Sequence, residues 1–247
     1  MTGPLRQVFA YSGVLFPAPR QPGSPALVDY ALSLAGSTGT AGSTRKRVCY
    51  LPTAVGDAAD AIAAKAAAFA RLPDTELSVL RLFVQPSVPD MRAHLLAQDV
   101  ILVEGGSVVN LMAVWRAHGL PEILRECWEA GVVLAGTSAG SMCWHLGGPT
   151  DSFGDDLAPF TDGLGFLPFS NGVHDDLAEQ PRRSEYRRMV AEGVLASGYA
   201  TEDGVGLHYL GTELHEAVTI VPGKRAWQVR PDGNGGYAER EITPRLV

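Results

Sequence analysis

Cysteine is scarce in this chain of 247 residues. The three present, Cys49, Cys127 and Cys143, are too scattered for a disulfide framework, and none falls in a CxxC pair or in metal-ligand spacing. A reducing, cytoplasmic compartment is therefore expected, with no metal and no cofactor. Positive charge is in deficit as well: 20 Lys and Arg against 27 Asp and Glu leave a formal net charge of −7. That excludes the basic stripe of a nucleic-acid-binding protein. Long apolar runs are missing too. The most apolar stretch, DAADAIAAKAAAFARL, carries Asp60 and Lys65 inside an alanine-rich helical pattern and is no membrane span. The opening MTGPLRQVFAYSG lacks the charged start and apolar stretch of a secretion signal.

What is present describes an ordinary globular chain, 46% hydrophobic and 19% charged, long enough to bury a core without staples. Residues up to about 145 alternate β-branched runs with helical patterns, which predicts a mostly parallel central sheet flanked by helices. The expected strands are VFAYS, RVCYL, LSVLRLF, VILVE and VVLA. A helix opens at Ser24-Pro25 and stops near Gly36. Others follow over about 56–71, 89–97, 108–117 and 121–130, the last opening with Pro121 and closing at Gly131. STGTAGSTRK reads as a flexible surface connection. Beyond about residue 147, Gly, Pro and Asp become frequent. The runs GVGLHYL, EAVTIV and AWQVR there predict antiparallel strands added to the same sheet toward the C-terminus, interrupted by a helix over about 184–195 capped by Ser184. With no linker and no internal repeat, one α/β domain over 1–247 is the economical reading.

Gly136-Thr137-Ser138-Ala139-Gly140 fits a nucleophile elbow, in which small neighbours let a serine sit on a strained strand-to-helix turn with its hydroxyl exposed. It directly follows VVLA and precedes Ser141-Met142-Cys143-Trp144, which can begin a helix. A serine hydroxyl needs a base, normally a histidine oriented by a carboxylate. Of six histidines, His145 follows the elbow on the same helix and cannot fold back. His94 and His118 fall in earlier helices, and His208 and His215 belong to strand-like runs. His174 lies in the loop Ser170-Asn171-Gly172-Val173-His174-Asp175-Asp176, where functional side chains are commonly presented, and is the candidate base. For the carboxylate, Asp151 lies between serine and histidine in chain order, with Asp155, Asp156, Asp162, Asp175 and Asp176 as rivals that spacing does not separate. Oxyanion donors are expected from the amide of Ala139, just after the serine, and from the glycine pair in Val103-Glu104-Gly105-Gly106-Ser107.

Taken together, EGGSVVNLMAVWRAHGL, VVLAGTSAGSMCW, PTDSFGDD, GLGFLPFSNGVHDD and TEDGVGLHYLGTEL resemble, in order, the peptidase E (aspartyl dipeptidase) family. That family is similar to cyanophycinases and has a class I glutamine-amidotransferase-like fold. The resemblance spans about residues 100–215; the amino-terminal third shares the fold only generically. It implies Ser138 as nucleophile, His174 as base, Asp151 as the triad acid, and the amides of Gly106 and Ala139 as the oxyanion hole. The departures are Glu104 and Ser107 flanking the glycines, where the family often has GGGN, and Asp175 after the histidine, where it often has an aromatic. Both touch the substrate pocket and bear on any preference for an amino-terminal Asp.

The resulting expectation is a serine dipeptidase or exopeptidase whose partner is a short peptide. Glu104 or the Asp155-Asp156 pair would meet the substrate amine, and Arg182 or Arg183 a substrate carboxylate. No nucleic-acid or membrane partner is expected, and any self-association would be as a homodimer. The alternatives are a non-catalytic binding protein on the same scaffold and an α/β-hydrolase-type esterase. The latter predicts a longer serine-to-histidine spacing and a cap insertion.

Overall fold

The computed structural model describes residues 3–13, 27–36 and 45–247. The Ser24-Pro25 helix start and residues 37–44 of the predicted surface connection lie outside them.

Five apolar runs form the parallel heart of the sheet: β1 (Gln7–Tyr11), β2 (Lys46–Leu51), β3 (Thr75–Val79), β4 (Val100–Val103) and β5 (Val133–Thr137). They lie in the order β1-β5-β4-β2-β3. All four residues of β4 are buried, as continuous apolar runs must be when helices cover both faces of a sheet. These helices are α1 (Leu27–Leu34), α2 (Ala59–Phe69), α3 (Met91–Leu96), α4 (Val108–Ala117) and α5 (Leu120–Glu129). In α5 the buried residues are Leu120, Ile123, Leu124, Cys127 and Trp128, an i, i+3, i+4, i+7, i+8 stripe worth roughly 1.5–3 kcal/mol per large side chain. Ser107 caps α4, its hydroxyl accepting from the Asn110 N–H at 3.2 Å.

The LSVLRLF strand ends earlier than expected, at Val79. From Arg81 the backbone amides turn to side chains: Arg81 N–H donates to Ser87 Oγ, and Leu82 and Phe83 N–H donate to Asp57 Oδ2.

The elbow connects β5 to a short helix α6 (Ala139–Met142). Beyond it follow β6 (Gly148–Thr150), β7 (Ala158–Phe160), β8 (Ser170–Gly172), α7 (Arg182–Ala191), β9 (Gly198–Thr201), β10 (Val205–Leu210), β11 (Glu213–Thr219), β12 (Ala226–Pro231), β13 (Tyr237–Ile242) and β14 (Arg245–Leu246). As expected, β10 joins the main sheet antiparallel to β1 and carries β11. The AWQVR strand does not join it. It becomes β12 of a separate sheet ordered β13-β12-β9-β8, while β6 and β7 form a two-stranded ribbon. This second sheet buries its own apolar cluster under α7, built from Tyr186, Met189, Val190, Leu195, Ala200, Trp227 and Val229. The α7 boundary also moves. Pro181 occupies the N-cap, and Ser184, the expected cap, lies within the first turn and donates its hydroxyl to the Pro181 carbonyl at 3.1 Å.

Candidate active site

Ser138 is placed by small neighbours at the carboxyl end of β5. A Cβ on Gly136 would stand 2.1 Å from the Gly140 carbonyl oxygen, and one on Gly140 would stand 2.5 Å from that of Val103. Glycine at both flanks of the serine is thus a steric requirement of the turn. Ser138 itself has φ 52° and ψ −113°, a conformation costing on the order of 1–3 kcal/mol that persists only when the surroundings impose it. Here they do: its N–H donates to the Tyr11 carbonyl at 3.1 Å, and its carbonyl accepts from the Ser141 and Met142 amides at 2.9 and 2.8 Å.

His174, just beyond β8, is the second strained residue, with φ 58°. Its N–H donates to Ser12 Oγ at 3.2 Å, and that hydroxyl shares a 2.6 Å hydrogen bond with Thr201 Oγ1. The ring reaches both ways: Nε2 lies 2.9 Å from Ser138 Oγ, and Nδ1 lies 2.5 Å from Asp203 Oδ1. A carboxylate can only accept, so Nδ1 carries the proton and Nε2 turns its lone pair toward the serine hydroxyl. Asp203 stands in the turn between β9 and β10, where its N–H donates to Asp176 Oδ1 at 2.9 Å. Asp176 in turn pairs with the Lys224 ammonium. Partial burial disfavours the Asp176 charge, but Lys224 and the Asp203 amide outweigh it and hold the carboxyl below the usual range.

The carboxylate on His174 is therefore Asp203, and Asp151 does not reach it. Asp151 follows β6 and accepts from Arg182 at 2.9 Å and from Gln180 at 3.0 Å. Burial works against its charge, yet the Gln180 hydrogen bond and the Arg182 charge hold its pKa down. The rivals are also engaged or exposed: Asp162 pairs with Arg116, Asp175 with Arg183 and Arg187, and Asp155 and Asp156 are exposed. Asp203 was missed because its Asp-Gly pair, inside TEDGVGLHYL, reads as a plain turn before a strand. The available signal was that this turn joins two strands at the end of the sheet where the elbow lies.

The expected substrate contacts also move. Glu104 accepts from Tyr50 at 2.6 Å and pairs with Lys65 at 3.0 Å. Burial raises its pKa, but Lys65 and Tyr50 overcome that and lower it. Arg182 is buried on Asp151, and Arg183 bridges Asp175 and Glu239 while stacking 4.2 Å over Trp227. None of the three lines the cleft at Ser138, a cavity of about 630 Å³ whose walls include Gly13, Gly105, Ile220, Val221 and Lys224. Gly105 packs on the serine: a Cβ there would lie 3.2 Å from Ser138 Cβ. Its own amide is turned to Glu104 Oε1 at 3.2 Å. Gly106 has φ 130°, with the Ala54 carbonyl oxygen 2.4 Å from where a Cβ would stand. Neither the Gly106 nor the Ala139 amide has an acceptor among the described residues.

The family model for peptidase family S51 matches residues 33–217, and the chain belongs to that family, which bears out the peptidase E resemblance. It is a peptidase by that membership. An uncharacterized peptidase of Bacillus subtilis strain 168, YgaJ, is 41% identical over 198 residues, covering 79% of this chain and 80% of the relative. Two solved structures share the fold at 18% identity. A peptidase from an acI-B1 actinobacterium has a TM-score of 0.70, covering 97% of this chain and 95% of its own. A candidate peptidase E from Listeria monocytogenes EGD-e has a TM-score of 0.60, covering 87% and 98%. Among the described residues no helix is long and apolar enough to cross a membrane.

Proposed function

We propose that this peptidase is a serine exopeptidase or dipeptidase that cleaves short peptides with a free amino terminus. One observation carries the reading: Ser138 Oγ, the His174 ring and the Asp203 carboxylate form an unbroken hydrogen-bonded chain, at 2.9 and 2.5 Å, that opens into a cleft. Ser138 Oγ attacks the scissile carbonyl while His174 Nε2 takes its proton. Asp203 holds the ring in the Nδ1–H tautomer and stabilises the imidazolium that forms. The amides of Gly106 and Ala139, which have no acceptor among the described residues, supply the oxyanion hole. His174 then returns the proton to the leaving amine; water, deprotonated by the same nitrogen, attacks the acyl carbonyl, and the acyl–Oγ bond breaks as His174 gives that proton back to Ser138 Oγ.

The cleft volume lies in the range of small-molecule sites, which favours short peptides over folded chains. Because Arg182 and Arg183 lie off the cleft wall while Lys224 lines it, recognition of a substrate carboxylate, such as that of an amino-terminal Asp, passes to Lys224. Three buried free cysteines fit a cytoplasmic setting.

A fluorophosphonate probe mapped by mass spectrometry should label Ser138, and wild type but not Ser138→Ala should turn over a dipeptide library. Absence of labelling on folded protein sinks the serine mechanism. Efficient cleavage of casein or of amino-terminally blocked peptides sinks the exopeptidase reading.

A further inference from the structure

Away from the cleft, on the face of β10 and β11 under α1, two histidines and a glutamate converge. We propose that His208, His215 and Glu216 form a site for one borderline divalent transition-metal ion of the zinc class, separate from the Ser138 centre and not needed for its chemistry.

The backbone builds the cluster. In a regular strand His215 and Glu216 would point to opposite faces. Here the β10–β11 register shifts between His208 and Tyr209: His208 pairs with Glu216, whereas Tyr209 pairs with Leu214. His215 is thus the extra residue of a β-bulge, so two consecutive residues oppose one and a side chain is re-aimed. One ligand atom from each of the three residues comes within 4.8 Å of the others, and the two imidazoles meet edge to face at 5.3 Å between centroids.

Hydrogen bonding prepares the buried histidine as a ligand. Gln7 donates its amide N–H to the Leu34 carbonyl at 2.9 Å, which turns its Oε1 toward His208 Nε2 at 3.0 Å. His208 therefore carries its proton on Nε2, and the Nδ1 lone pair faces the cluster. A metal-bound histidine is ordinarily held in just this way, by an oxygen acceptor on its other ring nitrogen. Among the described residues Nδ1 has one hydrogen-bond partner, the Tyr30 hydroxyl at 3.1 Å, but that hydroxyl also lies 2.8 Å from Glu216 Oε1. A hydroxyl has a single proton, and the shorter bond to the carboxylate takes it, so the buried Nδ1 lone pair has no donor among the described residues.

Two imidazoles and one carboxylate favour zinc, cobalt, nickel or copper over magnesium or calcium. The ion would displace Arg245, an exposed residue that now pairs with Glu216 at 2.9 and 3.0 Å. His215 is exposed and can swing inward to close the separation to bonding distance.

The test is titration of chelator-treated full-length protein with Co²⁺ as a spectroscopic probe and with Zn²⁺ by calorimetry. One equivalent should bind, with a cobalt d–d band. His215→Ala, an exposed change that leaves the fold intact, should weaken binding at least tenfold. Gln7→Met should weaken it about ten- to a hundredfold through the lost orienting acceptor. No binding at millimolar ion overturns the proposal, as does undiminished binding in folded His215→Ala. Neither outcome depends on peptide hydrolysis.

Discussion

His174 and Asp175 are adjacent in the chain yet belong to two regions of opposite character. His174 faces the cleft in a strained backbone conformation, and its partner Asp203 has a side chain 42% exposed. Asp175, one residue on, is buried and held by Arg187 and Arg183, which share Glu239 and stack on Trp227. Burial raises the Asp175 pKa, and the two arginines only partly offset that rise. The first region spends conformational strain on aiming one ring at one hydroxyl. The second pairs each of its carboxylates with an arginine and anchors α7 to the second sheet. Charge density alone does not tell the two apart; what separates them is an imidazole whose lone pair is turned to a serine hydroxyl at the edge of a cavity.

The sharpest break between the regions is a pair of aspartate variants. If Asp203 orients His174, Asp203→Asn favours the wrong tautomer and lowers kcat by about 10⁴ with the fold intact. Asp151→Asn, in the ion pair with Arg182, should keep kcat near wild type. Steady-state kinetics on one dipeptide decides it, and the reverse ranking would return the triad acid to Asp151.

The structural region should respond in stability. Asp175→Ala leaves Arg187, its side chain 3% exposed, without its main partner, and breaking a buried pair in this way costs about 3–5 kcal/mol. A fall in Tm of about 10 °C is expected, with kcat of the folded fraction retained. Loss of kcat at unchanged Tm would show that Asp175 acts on His174.

Acid should weaken the core through buried imidazoles. Burial lowers the pKa values of His145 and His208 to about 4, whereas in the unfolded chain each titrates near 6.5. The unfolded state therefore takes up protons that the fold refuses. This contribution is fully present above pH 6.5 and is lost as pH falls toward 4, by about 3 kcal/mol for the fully buried His145 and by less for the partly screened His208. Urea midpoints of the metal-free protein should drop over that window, and His145→Asn should flatten the slope. A midpoint independent of pH between 6.5 and 4 would contradict the neutral buried rings.

The parallel sheet was legible in the sequence because VILV and the central runs beside it, in β1 and β5, are buried on both faces. The elbow was legible because glycine at 136 and 140 is sterically enforced. His174 was legible from its loop. Asp203 was not, because its pairing with His174 spans 29 residues and each of several aspartates gives the same local signal. The second sheet was hidden for a related reason: β8 is only Ser170-Asn171-Gly172, with neither alternation nor β-branched residues. The partners of Arg182 and Arg183 are likewise tertiary, so a basic pair after the histidine read as substrate-facing when both side chains were committed to the protein.

The smallest expected effect tests where cleft and framework meet. Lys224 lines the cleft but also pairs with Asp176, which holds the Asp203 amide. If Lys224 binds a substrate carboxylate, Lys224→Gln should raise KM for Asp-Xaa about tenfold. That is the lower end for a charged hydrogen bond, because the ammonium is partly solvated. Turnover of Asp-Xaa and both constants for Ala-Xaa should change little, because an interaction equal in ground and transition states alters KM alone. If Lys224 instead works through Asp176, kcat falls for both peptides, and Asp176→Asn reproduces the loss. Equal kcat/KM for Asp-Xaa and Ala-Xaa in the wild type would remove the carboxylate role, and the charge of Lys224 would then belong with Arg182 and Arg183 among the groups that hold the framework.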